Sequence, residues 1–172
     1  MVRENAGFET TQEEINRMRA AARALAAMKV DGLVAGFARD GVLLLDHFDA
    51  VVATGSSLPV TFHRAFDTLL DPHEAIDRLS QRGRIDRILT GGGDDAAQKR
   101  GARLREYVGR AGSRLTIIAG GGVDLELFRL LVEQRIVREI HVGRLARADD
   151  TAEGPVSAAS VRRLRDLADA GS

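Results

Sequence analysis

The chain has 172 residues, 44% of them hydrophobic, a length that favours one domain and a composition that sustains a buried core. Its 25 Lys and Arg balance 25 Asp and Glu, so no net charge draws it to nucleic acid or to an anionic membrane surface, and neither partner is expected. The absence of Cys excludes disulfides, thiolate metal sites and cysteine nucleophiles, leaving His47, His63, His73 and His141 as the nitrogen ligands for any metal.

The first residues, Met1-Val2-Arg3-Glu4-Asn5-Ala6-Gly7, lack the apolar stretch of a signal peptide, and no later apolar run approaches about 18 residues, so a cytoplasmic protein is expected. Met1-Val2-Arg3 reads as the stub of a strand. Thr11-Gln12-Glu13-Glu14 has the form of a capping box, followed by an apolar stripe of Ile15, Met18, Ala22 and Leu25. A strand at Gly32-Leu33-Val34-Ala35 and a short helix over 46–53 come next. The run Val60-Thr61-Phe62-His63 is the second full strand, and Asp71-Pro72-His73-Glu74 then starts a helix with an acidic cap and proline at its first position. Ile76 and Leu79 lie on one face of it. His47 and His73, in first helical turns, are expected to face solvent. Further strands are Ile85-Asp86-Arg87-Ile88-Leu89, Leu115-Thr116-Ile117-Ile118-Ala119 and the run 136–142; further helices cover 96–109, 125–134 and 157–170. In the last helix Val161, Leu164, Leu167 and Ala168 form the expected buried stripe, with Arg162, Arg163 and Arg165 on its wet side.

Strands recurring every 25 to 30 residues or so, each followed by a helix, indicate an α/β chain of parallel strands with right-handed crossovers. Thr61 and His63 share one face of their strand, as do Glu139 and His141 of theirs, which suits inward residues at a barrel mouth. No Gly-x-Gly-x-x-Gly follows the first strand, which weakens a dinucleotide-binding reading. The expectation is a (βα)8 TIM-barrel type, incomplete, with about five parallel strands where a complete barrel has eight, and residues 1–172 as a single partial domain.

Sites in such folds form where strands end and loops lead into helices. Those ends carry His63, Arg64 and Asp67, then Thr90-Gly91-Gly92-Gly93, Gly120-Gly121-Gly122 and His141-Val142-Gly143-Arg144. Glycines let backbone amides approach a ligand, so Gly91, Gly92, Gly120, Gly121, Gly122 and Gly143 are candidate anion-binding residues. A glycine triplet is equally read as a tight turn after a strand. His63 with Arg64 also admits a purely structural reading, with Asp67 as a helix cap.

At these residues the chain resembles the CutC copper homeostasis family. The resemblance rests on Pro59-Val60-Thr61-Phe62-His63-Arg64-Ala65-Phe66-Asp67, on Asp86-Arg87-Ile88-Leu89-Thr90 with its glycines, on Ile118-Ala119-Gly120-Gly121-Gly122-Val123 and on Glu139-Ile140-His141, in that order. It implies a (βα)8 barrel, a cytoplasmic location, a copper-binding or copper-tolerance role and self-association, but no defined reaction. An N-terminal Glu-Leu-Cys segment of the family has no counterpart, its Arg-Pro-Arg end corresponds only to Arg3-Glu4-Asn5, and its Thr-Ser-Gly-Gly end has become Thr90-Gly91-Gly92-Gly93. The chain therefore reads as an N-terminally truncated member, with open strand edges that favour a homo-oligomer or a longer gene product.

Two functions follow, together with a third in which the chain is a degenerate barrel fragment without activity. In the first, His63 and His141 ligate copper(II) with help from Asp67 or Glu139, copper being the one cofactor implied. In the second, the chain is an enzyme on a small phosphorylated or carboxylated metabolite. There the glycine loops hold the anion, His63 and Asp67 exchange protons, and Arg64 pairs with a carboxylate or phosphate. Whether the chain is an enzyme is left open by the residues alone.

Overall fold

The computed structural model describes residues 10–52 and 58–171, so the strand stub at Met1-Val2-Arg3 and the segment Arg3-Glu4-Asn5 lie outside the described residues. Strands and helices alternate as the α/β reading expects, and all five strands read from the sequence are present. They group into two compact units, Met1–Ile88 and Leu89–Ser172.

The first unit opens with α1 (Gln12–Ala27), whose capping box is complete: the Thr11 side chain accepts from the Glu14 amide, and Glu14 Oε2 accepts from the Thr11 amide at 2.8 Å. Ile15 and Ala22 are buried from its apolar stripe, and Met18 and Leu25 half-buried. After β1 (Leu33–Ala35) comes an element the sequence reading missed, an antiparallel hairpin of β2 (Ala38–Arg39) and β3 (Val42–Leu43). Asp40 and Gly41 turn it with φ of 50° and 77°, as a type I′ turn requires. Asp-Gly is a hairpin signal, but two-residue flanks are too short for alternation to register. A Cβ on Gly41 would lie 2.4 Å from Leu70 Cγ, and the Leu70 amide donates to the Gly41 carbonyl at 3.0 Å. Gly41→Val is therefore expected to cost at least the ~1–2 kcal/mol of a left-handed backbone at a residue with a Cβ. An unchanged urea midpoint would refute that.

α2 (Leu45–Val52) buries Leu45, Phe48, Val51 and Val52; Ala53, included in the expected helix, lies outside the described residues. His47 does not simply face solvent as expected. It is half-buried, edge-on to Phe37 with ring centroids 6.2 Å apart, and its Nδ1 lies 3.2 Å from Thr10 Oγ1. His73 is exposed, as expected. Strand β4 (Val60–Phe62) pairs in parallel with β1 and with β5 (Ile85–Thr90). The β4–β5 register slips between Val60 and Thr61, so that Thr61 stands opposite Arg87 and Phe62 opposite Ile88. Val60 and Phe62 are fully buried, and Phe62 packs on Phe48 at 6.1 Å between ring centroids. The alternation then sends Thr61 and His63 to the opposite face, where both are half-buried. α3 (Pro72–Ser80) starts as expected: Asp71 Oδ1 accepts from the Glu74 amide at 2.8 Å, Pro72 holds the first helical position, and Ile76 and Leu79 are buried.

The second unit contains α4 (Ala97–Ala111), β6 (Thr116–Gly120), α5 (Leu125–Glu133), β7 (Glu139–His141) and α6 (Ala158–Ala170). β6 and β7 pair in parallel, with Ile118 opposite Glu139 and Gly120 opposite His141. Leu104, Ile117, Ala119, Leu127 and Leu131 form its core. β7 is shorter than the apolar run 136–142 because the Ile136 amide donates to the Leu131 carbonyl and so closes the end of α5. On α6, Leu164 is buried and Leu167 and Ala168 half-buried, but Val161, expected in the buried stripe, is 44% exposed. Among the described residues no helix is long and apolar enough to cross a membrane.

Candidate strand-end site

In the first unit the strand end after β4 folds at once into a single 3-10 turn, Arg64–Thr68. His63 is its cap: backbone extended, Nδ1 accepting from the Ala65 amide at 3.1 Å. An imidazole nitrogen that accepts carries no proton, so the ring proton resides on Nε2 and that atom is a donor. The ring stands over Gly36, where a Cβ would come within 2.7 Å of Nδ1. Its position is thus set by the β4 register, the cap bond and the bare backbone beneath it. The capping role considered for Asp67 falls to His63. Asp67 instead accepts from Arg64 Nε at 2.8 Å, which fixes the guanidinium on the turn that His63 caps. With Arg64 46% exposed the pair adds about 1 kcal/mol at most. Its effect is orientation: Arg64 and Asp67 are joined on the turn that His63 caps.

The other candidates belong to the second unit. Gly91 and Gly92 are buried beyond β5, where the buried Thr90 hydroxyl accepts from the Gly92 amide at 3.1 Å. Gly120 ends β6 opposite His141, and the fit is close: a Cβ there would lie 2.6 Å from Leu89 Cδ1 and 2.9 Å from His141 Cβ. Gly121 and Gly122 follow with φ of 96° and 61°, then Asp124, whose Oδ1 accepts from the Leu127 amide and starts α5. Gly143 is exposed, and its carbonyl accepts from Ala146 in a short 3-10 turn. His141, the last residue of β7, is exposed, and Glu139 lies half-buried on the same face. Among the described residues no three His, Asp or Glu side chains are grouped so as to hold a metal ion.

The residue that organises these loops was missed. Arg100, on α4, is only 7% exposed, and its guanidinium donates to three carbonyls: Nε to Gly91 at 2.8 Å, Nη2 to Gly121 at 2.7 Å and Nη1 to Gly122 at 2.9 Å. One planar fork thereby ties the loop after β5 to the loop after β6. A turn further on, Arg103 Nη1 donates to Gly92 O at 2.6 Å and pairs with Asp95. The Arg103 hydrogen bond holds the Asp95 carboxyl below the usual aspartate range. The pairing is complete above that range and is lost as pH falls through the lowered value. A signal for Arg100 existed, since it falls three residues after Ala97 and four before Leu104, on the buried stripe of its helix.

The CutC family's sequence model matches residues 1–146. Similar proteins include the family protein CutC of Pasteurella multocida (strain Pm70), 30% identical over 144 residues. The copper homeostasis protein cutC homologs of Mus musculus and Homo sapiens are 32% identical over 143 residues and 35% over 134. These matches take in 83%, 82% and 76% of this chain but 59%, 52% and 49% of the relatives, so the chain spans about half to three-fifths of their length. The crystal structure of the putative copper homeostasis protein CutC from Streptococcus agalactiae matches with a TM-score of 0.73 at 25% identity, covering 82% of this chain and 70% of that one. The fold is the incomplete TIM-barrel type read from the strand and helix order, and with a family match over residues 1–146 the chain belongs to the CutC family.

Proposed function

We propose that this chain serves cytoplasmic copper homeostasis and copper tolerance. Membership of the CutC family, whose mouse and human relatives carry the name copper homeostasis protein, is the observation that supports this reading. Deleting the gene is expected to raise the copper sensitivity of its host, and the intact gene to restore tolerance. Equal growth of both strains across a copper series would sink the proposal.

The residues do not fit a resident copper ion. There is no Cys, no group of three donors occurs among the described residues, and His63 Nδ1 is already engaged by the Ala65 amide. Coordination through Nε2 would require the proton to move to Nδ1, which would cost the cap bond. Copper(II) is better regarded as cargo met weakly by single imidazoles, His63 in the first unit and His141 in the second. Calorimetric titration should then give weak, saturable binding that His63→Ala and His141→Ala each reduce; unaltered binding in both variants would exclude these ligands.

A second reading is favoured by the same tautomer. In the first unit an Nε2–H donor on the turn that carries Arg64 suits an oxyanion, and in the second unit, taken by itself, the glycine loops after β5 and β6 with Gly143 suit a phosphate or carboxylate. In this reading the chain binds, or acts as an enzyme on, a small phosphorylated or carboxylated metabolite. His63 is then the proton donor and Asp67 the acceptor. We further propose that the chain self-associates, as the edge position of β1 among the described strands favours, with Val34 67% exposed on it. Sedimentation of a compact monomer at all concentrations would count against that.

A further inference from the structure

We propose that Arg100 is a positioning residue for anion binding at the second unit's strand ends, an inference that rests on the small-anion reading and names the part that makes it work. In a trans peptide the carbonyl of one residue and the amide of the next point in opposite directions. The Gly121 and Gly122 carbonyls both point to the Arg100 guanidinium, at 2.7 and 2.9 Å, so the next amides, those of Gly122 and Val123, point away from it on a shared side. Successive amides turned to one side make a concavity for an anion, and here they lie just ahead of α5, where the Asp124 carboxylate is held on the Leu127 amide. Glycine alone does not produce this. Residues with φ of 96° and 61° have many alternatives open to them, and a flexible triplet would present its carbonyls to an anion as readily as its amides. Arg100 removes that freedom by taking the carbonyls for itself. It also takes the Gly91 carbonyl at 2.8 Å, which ties the preceding loop to the same side chain; the Gly92 amide there is taken by the Thr90 hydroxyl, so the cradle is the Gly122 and Val123 pair. The guanidinium is buried beneath the loops and does not touch the ligand. Its fork geometry is what matters, since Lys offers a charge but not three donors in one plane.

The test is a phosphate titration of the ¹⁵N-labelled full chain at constant ionic strength, with chloride as the matched control, on wild type and on Arg100→Lys. The expected result is saturable movement of the Gly122 and Val123 amide signals in wild type with phosphate and not with chloride. In Arg100→Lys the affinity falls about tenfold or more, the usual size for a residue that orients a binding group from behind. Wild-type affinity in a folded Arg100→Lys chain overturns the inference and leaves the anion reading standing. No saturable shift in wild type overturns the anion reading itself, and this inference with it. Should Arg100→Lys not fold, the Arg100 Nε–H signal of the wild type decides. Slow exchange with solvent, and a shift that tracks the phosphate titration, support the clamp, and exchange as fast as in a free arginine overturns it.

Discussion

Phe62→Ala is expected to destabilise the first unit by about 3–5 kcal/mol, the range for deleting a fully buried phenylalanine. Phe62 has no exposure, stacks obliquely on Phe48 of α2, and sits one residue before the histidine that caps the strand-end turn. The loss combines the transfer of apolar surface with a cavity between β4 and α2 that α2 fills only partly. The consequence for function follows from the same geometry. His63 gets its position from the β4 register and from the bare backbone at Gly36, so a loosened β4 releases the imidazole along with the core. Urea unfolding should show the midpoint fall without a change of slope, and Phe62→Leu should recover most of it. A shift below 1 kcal/mol or so would mean that β4 is held by something other than this packing.

The second large effect belongs to Arg100→Met, expected to cost about 3–5 kcal/mol because it leaves buried carbonyl groups without a donor. Methionine matches much of the aliphatic stem, so the packing is nearly conserved and what is lost is the hydrogen bonding of Gly91, Gly121 and Gly122. Thermal unfolding supplies the magnitude. Hydrogen exchange supplies the location, since protection should fall first in the residues that follow β5 and β6. A methionine variant as stable as wild type would show that water replaces the guanidinium without penalty.

The parts of this molecule legible in sequence are those decided by neighbours in the chain. Thr11 with Glu14, Asp71 with Pro72, and the alternation of Val60, Thr61, Phe62 and His63 carry their own explanations within four residues, and each appears as read. The resemblance around residues 59–67 likewise led to the family. His47 was misread because its environment comes from Phe37 and Thr10, ten and thirty-seven residues away, which no helical period contains. The hairpin at Asp40-Gly41 was passed over because its strands have two residues each. Arg100 was not legible for a different reason: the strand ends carry the glycines, whereas the group that shapes those ends reaches them from the following helix, nine residues beyond Gly91 and more than twenty before Gly121.

The Arg100 fork has a mechanical consequence. Two loops grasped by one rigid plane have, in effect, a single hinge between them: neither the turn beyond β5 nor the turn beyond β6 can swing outward unless the yoke lets go of one or drags the other along. A molecule arriving at either turn is thus felt at both, so the two loops should respond as one lever rather than as two independent lips.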